Sequence, residues 1–357
     1  MEMVESAPFH GPLSSHRPAL ADLVKPYLKH GDREYLARLL QIWSPANDED
    51  RANDAMGNAL HHAISRGDET AIRMMLDAGV SPTVLQPHDL GYTPLLAASE
   101  AGHRGIARLL WQLVGPDGRA DPENCTCLEL AAWKGHVDMV ADFFDLWDGW
   151  STDETREALY AAASDWRDDV VGFLLAKVSY EAGVVQTALE RGITGPGMLP
   201  GRVFASRQAG AITTAEQDLR LHHVVTQLVD AGASPHGNTR TGVPLLHLTV
   251  QSSRLGALKG LLKKGANANV QDKTGKTALH KLFRRTSSST PSLCTLLQHG
   301  ASPEIADEAG ETALHAAAYT GTLDQLQVCL ASCRDDAAVH LCTSHGESLL
   351  HYAAAVL

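Results

Sequence analysis

One segment constrains this chain more than any other, because it recurs: Gly310-Glu311-Thr312-Ala313-Leu314-His315-Ala316-Ala317-Ala318-Tyr319-Thr320-Gly321. Asp272-Lys273-Thr274-Gly275-Lys276-Thr277-Ala278-Leu279-His280 is a second copy, and Gly91-Tyr92-Thr93-Pro94-Leu95 opens a third. The aligned leucines Leu246, Leu279, Leu314 and Leu350 lie 33, 35 and 36 residues apart. Leu60, Leu95, Leu128 and Leu159 lie 35, 33 and 31 apart. A period of this length marks supersecondary units, here helix pairs joined by turns. One pair cannot cover its own apolar faces, so neighbours must stack into one continuous core.

Each repeated residue has a physical task. Gly275 and Gly310 stand where a hairpin turn needs a positive φ. Thr277 and Thr312 follow as helix caps, and Ala278, Ala313 and Pro94 open the first helix. The aligned leucines point into the core. Gly67, Gly102, Gly135, Gly192 and Gly321 are expected to end the first helix in the left-handed conformation. A second apolar run follows, such as Leu258-Lys259-Gly260-Leu261-Leu262, and stops at Gly79, Gly232, Gly265 or Gly300. The fourth unit departs from the pattern, with Trp166 at the position of the helix-ending Gly.

The Thr-Pro-Leu-His-like tetrads in this setting resemble the ankyrin repeat. The resemblance spans roughly residues 53–357 and implies an all-α ankyrin-repeat solenoid. Stacked helix-turn-helix units with hairpin-like loops would form a concave groove. About nine units are expected, beginning near Asn53, His88, Asp121, Thr152, Val178, Thr239, Asp272, Asp307 and Thr343. The ninth is incomplete, which suggests either a chain cut from a longer protein or an end covered by another surface. Residues 1–18 read as a disordered N-terminal tail, and 19–52 as an N-terminal helical cap of two helices around Gly31. The fifth unit carries an insertion at 193–214, rich in Gly and Pro, read either as disorder or as a flap over the groove.

Composition narrows the function. Against 42 acidic residues stand 30 basic ones, a formal net charge of −12. That argues against general nucleic-acid affinity. No apolar run has the length of a membrane span. The six cysteines match no zinc spacing and read as reduced thiols, hence a cytoplasmic or nuclear protein. No metal site and no cofactor are expected. The tetrad histidines His61, His247, His280, His315 and His351 read as structural ties between repeats, as the resemblance implies.

The family's binding surface is the hairpin tips and the last exposed turn of each first helix. Carried over by position, it gives Tyr92, Glu100, Trp133, Lys134, Asp165, Trp166, Glu190, Arg191, Arg240, Lys273, Arg284, Arg285 and Tyr319. Tyr92, Trp133 and Trp166 are large aromatics suited to anchoring a partner, although Trp166 can equally pack inward. Arg240, Lys273, Lys276, Arg284 and Arg285 form a basic stretch suited to an acidic partner, or else a solvated face. The leading expectation is a protein–protein interaction module with an unidentified protein partner in the groove. The alternative is a small-molecule binder or enzyme with a pocket around units 2–5, covered by the insertion, with Asp165 as the candidate proton acceptor.

Overall fold

A computed structural model describes residues 20–43, 51–85, 92–121, 124–195, 214–283, 290–333 and 340–355. The expected tail, residues 44–50 of the expected cap, residues 196–213 of the insertion, and Arg284 and Arg285 lie outside the described residues. The chain divides into two compact units, 1–127 and 128–357. The described residues are mostly helical, with no strand among them.

In the first unit, helices α1 (Leu20–His30), α3 (Arg51–Ser65) and α5 (Pro94–Ala101) stack as one layer. Helix α2 (Arg33–Ile42) packs on α4 (Glu69–Asp77), and α6 (Arg104–Val114) packs on α5. The chemistry of the ends follows the residues. Asp32 caps α2 through bonds from the Glu34 and Tyr35 N–H groups. Thr93 caps α5 through the Leu96 N–H, with Pro94 at the first helical position.

The second unit begins within α7 (Cys127–Lys134) and continues through α8 (Val137–Leu146), α9 (Thr152–Ser164) and α10 (Asp168–Lys177). Helices α11 (Ala182–Thr194), α12 (Thr214–Asp230), α13 (Leu245–Gln251) and α14 (Leu255–Lys263) follow. The unit closes with α15 (Ala278–Phe283), α16 (Thr290–Gln298), α17 (Ala313–Thr320), α18 (Leu323–Ala331) and α19 (Leu349–Ala354). The first helices α9, α11, α13, α15, α17 and α19 stack in that order. The second helices α8, α10, α12, α14, α16 and α18 stack as a parallel layer. The aligned leucines Leu159, Leu246, Leu279 and Leu314 are buried between these layers. Leu350 is the exception at 79% exposed, and Leu349 is buried instead. Helix α19 packs on α17, and none of the described residues stacks on its far side.

The hairpins are built by the first residue of each: Thr239, Asp272, Asp307 and Thr343. Asp307 Oδ1 accepts from the N–H groups of Ala309 and Glu311, both at 2.9 Å, while its own N–H bonds the Glu311 carbonyl at 2.7 Å. Asp272 does the same for Thr274 and Lys276. Thr239 and Thr343 use their hydroxyls for Val243 and Glu347. Gly310, at φ +75°, has no room for a side chain, because a Cβ there would lie 2.7 Å from the Ser344 nitrogen of the next hairpin.

Two expected features differ. Gly321 is extended, with φ −78° and ψ 168°, not left-handed. Its need for Gly is steric: a Cβ would sit 2.5 Å from the Ala317 carbonyl oxygen. Gly192 lies inside α11, which runs on to Thr194, and the left-handed residue is Gly195 at φ +84°. At the start of α17 Thr312 and His315 form a reciprocal capping box. The Nδ1 atoms of His280 and His315 accept from the backbone N–H of Thr277 and Thr312, at 3.0 and 3.2 Å.

Candidate interaction surface

The tetrad histidines are consumed by the fold. His280 Nδ1 accepts from Thr277, so Nε2 carries the proton and donates it to the Glu311 carbonyl of the next repeat at 3.0 Å. His247 Nε2 bonds the Lys276 carbonyl at 2.8 Å, and His61 Nε2 bonds the Val84 carbonyl at 3.1 Å. Burial lowers the pKa of all three below the ordinary imidazole value, which keeps them neutral. His315 is also fully buried, but its Nε2 has no partner among the described residues.

In the first unit, Tyr92 is buried at 7% exposure and Glu100 is half-buried near the end of α5. In the second unit, the ends of α7, α9 and α11 come together. Lys134 Nζ lies 4.0 Å over the Trp133 ring. The Arg167 Nε donates to the Trp133 carbonyl at 3.0 Å, and its Nη2 pairs with Asp165 Oδ2 at 2.5 Å. Burial pushes the Asp165 carboxyl up, against the pull of Arg167 and Lys134. Trp166 packs inward at 5% exposure, and its Nε1–H donates to the Gly192 carbonyl at 2.8 Å. Trp133, at 8%, is buried too. These indoles stabilise the stack rather than stand in water. Arg191 lies 4.1 Å over the Tyr160 ring, its Nη1 3.7 Å from Glu157, with Glu190 half-buried beside it. Arg254 covers the Trp166 ring at 4.5 Å, a contact that no repeat pattern predicts.

Of the expected basic stretch, Lys276 is neutralised. Lys276 Nζ bridges Asp307 at 2.6 Å and Glu311 at 3.2 Å across the repeat junction. Lys281 pairs with Asp272 at 2.6 Å. Arg240 and Lys273 project from their hairpin tips into solvent. Tyr319, in the last turn of α17, is 52% exposed and borders a hollow of about 410 Å³. Lys276, Glu311 and Tyr352 form other walls of that hollow. Among the described residues no cluster of His, Cys, Asp or Glu is arranged to hold a metal, and no helix is long and apolar enough to cross a membrane.

The family models agree with this architecture. Residues 28–117 and 60–146 match the model described as ankyrin repeats in three copies, and 282–328 match the one described as ankyrin repeats in many copies. The chain is an ankyrin-repeat protein. This ankyrin-repeat chain is 31% identical over 175 residues to the human neurogenic locus notch homolog protein 2, which covers 47% of the chain and 7% of that protein. It is 37% identical over 91 residues to the mouse neurogenic locus notch homolog protein 1, covering 25% and 4% respectively. The matched region is thus under a tenth of the length of these curated relatives. Ankyrin repeats are in general protein-interaction modules.

Proposed function

We propose that this chain is a protein-interaction module whose partner polypeptide meets the hairpin tips and first-helix ends of the second unit. The observation that carries this reading is Tyr319. Among the described residues it is the one large aromatic side chain with more than half its surface in water. Exposed aromatics beside a concavity are the usual anchors of protein interfaces. Arg240 and Lys273 are the exposed charges on neighbouring tips, and Lys134, Glu190 and Arg191 flank the surface half-buried. Asp165, the alternative reading's proton acceptor, is held by Arg167, which favours a structural role for it. Six cysteines whose spacing matches no zinc pattern suit a reducing compartment, the cytoplasm or nucleus.

The test is to recover partners by cross-linking and mass spectrometry, then titrate the purified partner against variants. Tyr319→Ala is expected to weaken binding about tenfold or more, near 1.4 kcal/mol, with unchanged circular dichroism. Lys273→Glu combined with Arg240→Glu should alter both affinity and its salt dependence. A partner indifferent to all three residues would place the interface elsewhere and overturn this reading.

A further inference from the structure

The hollow beside Tyr319 has a chemistry of its own. Its walls include Tyr319, Tyr352, Glu311, Lys276 and Thr320. The rings of Tyr319 and Tyr352 meet nearly perpendicular, at 81° with centroids 6.4 Å apart. Tyr352 donates its hydroxyl to Glu311 Oε1 at 2.6 Å, and Lys276 takes Oε2 at 3.2 Å. One cation therefore faces two carboxylates, since Lys276 also reaches Asp307 at 2.6 Å. His280, another wall, is held neutral by burial. Among the described residues carboxylates outnumber the cation here. Burial first, then the Glu311 hydrogen bond and the charges of Glu311, Glu347 and Asp307, push the Tyr352 phenol well above the ordinary value.

Carboxylate oxygens accept more than one hydrogen bond each, so Glu311 has acceptor capacity left beyond Tyr352 and Lys276. Aromatic faces attract cations, arginine above all. An anion would meet like charge here, and an apolar side chain would desolvate Glu311 without replacing its water. We propose that this hollow receives the guanidinium of an arginine from a basic segment of the partner protein, stacked on Tyr319 and bonded to Glu311. This rests on the interaction-module reading and names the chemistry its partner presents. The chain's net charge of −12 steers a basic segment toward it.

The test uses the full chain and a fluorescent peptide of alternating glycine, serine and arginine, followed by anisotropy at physiological salt. The same peptide with glutamate for arginine is the control. Tyr319→Ala and Glu311→Gln should each weaken arginine-peptide binding about tenfold, and Tyr319→Phe should keep it. Asp138→Asn removes a charge from an exposed residue of α8 and should change nothing. Equal weakening by Asp138→Asn would reduce the effect to general attraction and overturn the assignment. So would binding that ignores Tyr319→Ala, an uncharged change at an exposed position that the fold tolerates. Arg284 and Arg285 follow directly on Phe283 in the sequence and carry the same guanidinium chemistry. Tenfold tighter peptide binding on Arg284→Ala with Arg285→Ala would make the chain's own arginines the ligand and overturn a partner's role. Failure of the peptide while a recovered protein still binds would sink this inference alone. Tyr319-dependent peptide binding with no protein partner would leave the hollow's chemistry standing and remove the module reading.

Discussion

Trp166 holds φ +56°, a conformation that side chains with a Cβ adopt at a cost. Gly102 and Gly135 take the same conformation at the matching place in their repeats. What offsets the strain is visible: a buried indole, its N–H on the Gly192 carbonyl, and the Arg254 guanidinium over its ring. Two truncations separate packing from strain. Trp166→Ala should lose about 3–5 kcal/mol, as large buried aromatics do. Trp166→Gly loses the same packing but relieves the backbone, so it should be about 1 kcal/mol less destabilising. Urea unfolding measures both. If Ala proves as stable as Gly, the backbone relaxes out of the left-handed region once the ring is gone. The position was legible in the sequence as a missing Gly. The stabilising partners were not, because Gly192 and Arg254 lie 26 and 88 residues away.

Between elements, the repeats are joined by short range and close approach. The His280 bridge joins the start of α15 to the next hairpin, and Lys276 spans the same junction to Asp307 and Glu311. Helices α12 and α14 pack closely at Gly256, whose N–H bonds Asp218 Oδ1 at 3.0 Å. A Cβ on Gly256 would fall 1.9 Å from the Asp218 carbonyl oxygen, a backbone atom with no side-chain freedom to yield. Gly256→Ala must therefore part the two helices, at about 3 kcal/mol or more. In a repeat array the damage stays with neighbours. Hydrogen exchange should show protection lost first across α11 to α16, with α17 and α18 less affected. Uniform loss over the second unit would mean that its stability is not a nearest-neighbour sum.

At the scale of the whole molecule, stability should depend on pH with a definite sign. His61, His247 and His280 have lowered pKa values in the folded state because they are buried. As pH falls below about 6.5, the ordinary imidazole value, the unfolded chain takes up these protons first. Stability is therefore full above that value and is lost as pH descends toward the lowered folded values. Asp272, Asp307 and Glu311 add a second loss below about pH 4.5, because hydrogen bonds and lysine partners lower their pKa values in the fold. Asp165 works in the opposite direction, its carboxyl raised by burial. Thermal melts at constant ionic strength should show a fall in midpoint from pH 7.5 to 5.5 and a steeper one by pH 3.5. A flat profile from pH 7.5 to 5.5 would contradict the neutral, buried state of the histidines.

The period near 33, the hairpin glycines and the tetrads identified a helical repeat from sequence alone, because those features act within one repeat. A turn needs its Gly, a helix its opening residue and a core its leucines, whatever lies elsewhere. The same locality explains Gly321 and Gly192. A Gly near a helix end reads alike whether it answers a positive φ, a crowded carbonyl or a neighbouring helix. Which aromatics face inward and which lysines are neutralised were decided by the tertiary structure. So were the Arg167 bond to the Trp133 carbonyl, the closeness of α12 to α14, and the hollow between Tyr319 and Tyr352. Each depends on how one repeat lies on the next, and the interactions that set that register join residues about 25 to 40 positions apart, beyond the reach of a local pattern.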